Sequence, residues 1–144
     1  MADIDPNGER ERAAVSEHPC LPARLVKRVG SICERLAGAV EHDAWTGTSW
    51  RVGGTTFAHI VQIAGGWPAA YARAAGSDGP STVVTFQADD LERAALAARS
   101  APYFLPPWRP GIVGLVLDDA TDWTEVAELI TDSHRLCSAP RRRH

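Results

Sequence analysis

The sequence predicts an α+β fold, a two-layer sandwich in which an antiparallel sheet of about five strands carries helices packed on one face. Three observations lead there. Apolar residues recur at helical spacing near both ends of the chain. Between them lie short alternating runs separated by glycine-containing turns, and strands joined so tightly pair antiparallel because a parallel crossover needs more chain. The element order is helix, a run of strands, helix, strand, helix, which suits helices layered on hairpins.

Composition agrees. The 144 residues are 44% hydrophobic and 23% charged, enough to bury one domain core and unlike a disordered chain. No apolar run approaches a membrane span, so a cytoplasmic location is expected. The formal charge of −3 excludes a polybasic protein that coats nucleic acid by charge alone. Residues 1–19 hold Asp3, Asp5, Glu9, Glu11 and Glu17 against Arg10 and Arg12, and are expected to form a flexible acidic tail. That tail accounts for the whole excess, leaving 20–144 as a single neutral domain. Lys27 is the only lysine beside 14 arginines, a bias that suggests a GC-rich genome of actinobacterial type. Cys20, Cys33 and Cys137 are odd in number and lack Cys-x-x-Cys spacing, which reads as reduced thiols.

The first helix is expected from Pro22 to Gly38, with Leu25, Val29, Ile32 and Leu36 forming its stripe and Arg24, Lys27, Arg28 and Arg35 opposite. Three strands follow between Val40 and Ile63, turning at Thr46-Gly47 and Gly53-Gly54. Alternation places Trp50 and Val52 against Arg51, and Phe57, His59, Val61 and Ile63 against Ala58, Ile60 and Gln62. Residues 64–80 read as a loop with one helical turn, and Ser81–Gln87 as a strand. Asp89 with Glu92 makes a capping-box pattern for a helix whose stripe is Leu91, Ala95 and Ala98 and which ends at Pro102. A proline-rich loop, Tyr103 to Gly111, feeds a strand at Ile112–Leu117. Asp122 with Glu125 signals the last helix, buried along Trp123, Val126, Ile130 and Cys137.

These segments resemble the MmcQ/YjbR family over roughly 20–142. The resemblance is carried by Trp50-Arg51-Val52-Gly53-Gly54 running into Thr56-Phe57-Ala58, and by the passage from Val84 to Leu96. The aromatic-proline loop at Tyr103 to Trp108, Val113 to Leu117, and Asp122-Trp123 through Ser133-His134-Arg135-Leu136 to Arg142 follow in family order. The resemblance implies a frataxin-like (CyaY-like) fold and DNA binding attributed to paired hairpin wings. Thr55 and Thr56 stand where many relatives have a lysine, and His134 where they commonly have tyrosine.

Nucleic-acid binding needs cations for phosphates. The candidates are Arg24, Arg28, Arg51, Arg109, Arg141 and Arg142. The alternative expectation is a non-catalytic sequestering or resistance-type protein whose pocket for an aromatic small molecule holds Trp50, His59, Trp108 and His134. His134 and Cys137 lie one helical turn apart, but Cys137 continues an apolar stripe, and no metal site is expected. No Gly-x-Ser-x-Gly elbow, phosphate loop or activated cysteine appears, so neither an enzyme nor a cofactor is expected. The predicted protein is a monomer that binds DNA weakly through hairpin and helix arginines.

Overall fold

In the computed structural model, which describes residues 19–138, ten elements follow one another. They are α1 (Ala23–Glu34), β1 (Val40–Asp43), β2 (Thr48–Val52), β3 (Thr55–Ile63), α2 (Ala69–Ala75), β4 (Ser81–Gln87), α3 (Asp90–Arg99), β5 (Tyr103–Phe104), β6 (Ile112–Leu117) and α4 (Trp123–Ser138). The strands form one six-stranded sheet in the order β1-β2-β3-β4-β6-β5, antiparallel throughout. The fold is therefore α+β, with helices packed on an open antiparallel sheet. All but the last residue of the expected acidic tail, and both Arg141 and Arg142, fall outside the described residues.

Local chemistry explains most boundaries. Gly53 and Gly54 both have positive φ, +57° and +81°, as a two-residue turn between twisted antiparallel strands requires. Asp89 Oδ1 accepts the Glu92 N–H at 2.8 Å, and Asp122 Oδ1 accepts those of Thr124 and Glu125, so both capping residues act at the predicted helix starts. Edge strand β1 is short, fully exposed and charged, which discourages pairing with another chain.

The main core lies on one face. Leu25, Val29, Ile32 and Cys33 of α1 and Val126, Leu129 and Ile130 of α4 pack on Trp50, Ala58, Ile60, Val84, Phe86 and Leu115. Gly30 of α1 lies against the Trp50 ring. Val61, Ile63 and Val83 face the other way, where Ala72 and Tyr71 of α2 cover them. The segment expected to be a loop with one helical turn thus supplies a second, smaller core.

Two side-chain expectations are corrected. Phe57 does not share a face with His59. Trp50 pairs with Ala58 but Arg51 pairs with Thr56, so Phe57 is the extra residue of a β-bulge. Its ring turns onto the α4 face, edge-on to His134 with centroids 5.1 Å apart. On α3, Leu91 is 83% exposed and Leu96 is the buried residue. Five residues on a helix amount to about 140° of rotation, so a helix docked through Leu96 turns Leu91 to solvent.

The bulge is closed by α4. Beyond the Ala58–Phe86 pair the register would bring Phe57 opposite Gln87. Instead, the Ser133 hydroxyl sits between them, donating to the Phe57 carbonyl at 2.6 Å and accepting the Gln87 N–H at 2.9 Å. Gln87 Nε2 also donates to the Thr56 carbonyl at 3.2 Å. Ser133 is fully buried, so water cannot replace its hydroxyl without rearrangement.

Ser133→Ala leaves a buried donor and a buried acceptor without their partner, and is expected to lower stability by about 1–3 kcal/mol. Ser138→Ala removes a hydroxyl that bonds only exposed helix carbonyls, and is expected to stay within about 0.5 kcal/mol. Urea denaturation of the two variants checks this; equal midpoints would contradict the role given to Ser133.

Candidate functional site

The amphipathic pattern of α1 buries Leu25, Val29, Ile32 and Cys33, and thereby turns Arg24, Lys27, Arg28 and Arg35 to solvent. The first turn contains no acidic residue. Within the described residues the ion pairs are Arg99–Glu125 and Arg135–Asp132, so none of these four cations is paired with a described carboxylate. Arg28 is nevertheless held, its guanidinium 4.7 Å from the centroid of Trp123 on α4. Arg35 is tethered through Nε, which donates to the Ser31 carbonyl at 3.3 Å. Between α1 and α4 runs an open groove of about 440 Å³ bordered by Arg28, Ser31, Arg35 and Trp123.

The remaining described candidates lie elsewhere. Arg51 is exposed on β2 and alternates with Trp50 and Val52, which are buried against α1, so it projects from the opposite face of the sheet. Arg109 borders a narrow cleft with Thr56, His59, Tyr71, Thr85 and Trp108. Arg24 and Arg28 therefore share one surface, and Arg51 lies across the sheet from it.

The four residues expected to form an aromatic pocket do not converge. Trp50 is 1% exposed within the main core. His134 lies on that same side, its Nε2–H donating to the Ala37 carbonyl at 2.7 Å. His59 and Trp108 meet only on the second face, with Tyr71 between them: Tyr71 is 6.3 Å from His59 and 5.0 Å from Trp108, ring to ring. Their cleft encloses about 50 Å³, which suits little beyond water.

His59 has a defined tautomer. Its Nε2 lies 2.7 Å from the Thr46 carbonyl, which can only accept, so Nε2 carries the proton. Nδ1 is then left to accept from the Tyr71 hydroxyl, 3.5 Å away. Burial lowers the His59 pKa below its ordinary 6.5, partly offset by the bond to Thr46. Burial likewise raises the Tyr71 hydroxyl, with Arg109 acting against it.

Neither Cys33 nor Cys137 is an activated thiol. Cys33 is buried, and its thiol is pushed up to about 12 by desolvation, with Glu34 and Glu41 adding to the effect. Desolvation also raises Cys137, whose thiol points at the Thr56 carbonyl. Thiols held above neutrality stay protonated and unreactive. Within the described residues no three His, Cys, Asp or Glu side chains are grouped to hold a metal ion, and no helix is long and apolar enough to cross a membrane.

A larger concavity, absent from the sequence-based candidates as a site, lies where the end of α3, β5, β6 and the start of α4 meet. It measures about 620 Å³. Arg99 forks onto Glu125 there, with contacts of 2.6 and 3.4 Å, and also covers the Tyr103 ring at 4.8 Å. The Arg99 hydrogen bond lowers the Glu125 pKa; burial, with help from Glu125, pushes the Tyr103 hydroxyl up to about 12.

The YjbR family model matches residues 34–136, well over half of the chain, and the chain belongs to that family. No curated protein matches it.

The His59 environment has a consequence for acid stability. A histidine whose pKa is lower folded than unfolded favours the native state fully above about pH 6.5, and that advantage is lost as pH falls and the unfolded chain takes up a proton. His59→Gln keeps an amide donor for Thr46 but has no proton to gain. Between about pH 7.5 and 5.5 its urea midpoint should fall less than that of the parent protein. Parallel pH profiles would remove His59 as a source of acid sensitivity.

Proposed function

We propose that this chain, as a member of the YjbR family, is a non-catalytic protein that binds duplex DNA weakly, through phosphate contacts made by the exposed face of α1. The observation that supports the reading is the row Arg24, Lys27, Arg28 and Arg35, exposed along one helix and unpaired with any described carboxylate. From Arg24 to Arg35 the row spans about 16 Å, against about one duplex charge per 1.7 Å of DNA axis, so it can meet several phosphates at once. Packing of Arg28 on Trp123 holds one guanidinium in place before contact, which reduces the entropy lost on binding.

This reading differs from one that relies on a hairpin wing. Arg51 projects from the other face of the sheet and cannot touch the same stretch of straight duplex as α1. Attraction is local, because a chain with an overall charge of −3 has no long-range positive field. Contacts of this kind carry no base readout, so the expected binding is insensitive to sequence.

Fluorescence anisotropy with a labelled duplex tests the proposal. Four phosphate contacts predict a slope of about −3.6 in log K against log salt, and about 10²-fold weaker binding at ~200 mM than at ~50 mM salt. Arg28→Ala should reduce the slope by about 0.9, whereas Arg51→Ala should leave affinity within about 2-fold. No binding at low salt, or a loss caused by Arg51→Ala but not Arg28→Ala, would refute the assignment to α1.

A further inference from the structure

The concavity beside α4 combines an apolar floor with unbalanced charge. Its floor is built from Pro102, Tyr103, Leu115 and Val126; the last three are at most 5% exposed, so the surface is fixed by core packing rather than assembled on contact. At about 620 Å³ it lies within the range of about 300–1,000 Å³ that holds drug-sized ligands. Three carboxylates border it, Asp118, Asp122 and Glu125, against one guanidinium, Arg99. Arg99 is committed to Glu125 by the forked contact, which leaves Asp118 and Asp122 without a cationic partner among the described residues.

Those two aspartates are anchored in a way that leaves charge available. Asp118 accepts the Ala120 N–H through Oδ1 at 2.8 Å, and its own N–H donates to Thr121 Oγ1. Asp122 caps α4 through Oδ1 alone. In each case the backbone is held by one carboxylate oxygen, and the second makes no hydrogen bond with a described residue.

We propose that this concavity is a binding site for a small organic cation, an amine with an apolar body, whose ammonium group meets Asp118 and Asp122 while the body lies over Tyr103, Leu115 and Val126. Anions are disfavoured by the same carboxylates, since the one nearby cation is already neutralised. A neutral ligand gains the apolar contact but no charge-assisted hydrogen bond, the stronger kind. The site is independent of α1 and of DNA, and shares none of its residues with that surface.

The test uses three probes with the same ring and different charge: tryptamine, tryptophol and indole-3-propionate. Titration of the full chain, followed by amide NMR shifts of residues 118–125 and by calorimetry, should show saturable binding of tryptamine, weaker binding of tryptophol and none of the propionate. The double variant Asp118→Asn, Asp122→Asn keeps the side-chain oxygens that hold Ala120 and the α4 cap but removes both charges. It should weaken tryptamine at least about 10-fold and leave tryptophol unchanged. Ala120→Trp, at an exposed position on the rim, should block all three. The inference is overturned if millimolar tryptamine moves none of these resonances, if tryptophol or the propionate binds as well, or if tryptamine binds the double-asparagine or Ala120→Trp variant undiminished.

Discussion

One hydroxyl group joins the two layers of this protein. The β-bulge at Phe57 pulls the backbone of β3 away from β4 where the ladder would otherwise continue, and Ser133 enters the gap from α4. A bulge leaves main-chain groups without their regular partners, and buried peptide groups must find others. Ser133 meets both demands with one side chain, donating to one strand and accepting from the next. Because it does so from the middle of the helix, it also sets where α4 lies along the sheet and how it is rotated.

The position of α4 in turn organises the surface. With Val126, Leu129 and Ile130 directed at the sheet, Trp123 at the helix start lies beside α1 and supports Arg28, while Asp122 and Glu125 border the concavity over β5 and β6. The two surfaces to which binding is assigned thus share a scaffold but differ in charge. One is a helix face of cations, the other an apolar hollow edged with carboxylates. A net charge near neutrality conceals this separation, since it sums over regions that a short-range ion pair cannot bridge.

The second face shows why aromatic residues are poor guides to a pocket. Trp50 is the largest side chain of the main core, packed beneath α1 beside Gly30. His59, Tyr71 and Trp108 do meet, but they fill their own cleft almost completely. Aromatic rings contribute most to burial, so in a chain this short they are first used to build the core. The larger hollow is lined instead by residues that look ordinary one by one: a tyrosine, a leucine, a valine and three carboxylates.

Several features of the fold were legible in the amino-acid sequence because their causes act within a few residues. Ser81–Gln87 is rich in β-branched residues and Ile112–Leu117 is an apolar run, Asp89 and Asp122 cap the helices they precede, and Gly53-Gly54 supplies the positive φ of a tight turn. The amphipathic face of α1, and hence its exposed cations, follows from helical periodicity alone. The face taken by Phe57, the burial of Leu96 in place of Leu91, and the second core under α2 were not legible, since each depends on what lies across the sheet. The same holds for the concavity, where Arg99, Tyr103, Asp118, Asp122 and Glu125 meet from different elements and the loop between two of them. Ser133 is the clearest instance: it reads as one polar residue on an amphipathic helix, and only a partner 76 residues away makes it part of a β-ladder. Local sequence determined which elements form; the cross-strand register and the bulge decided which residues those elements bring together.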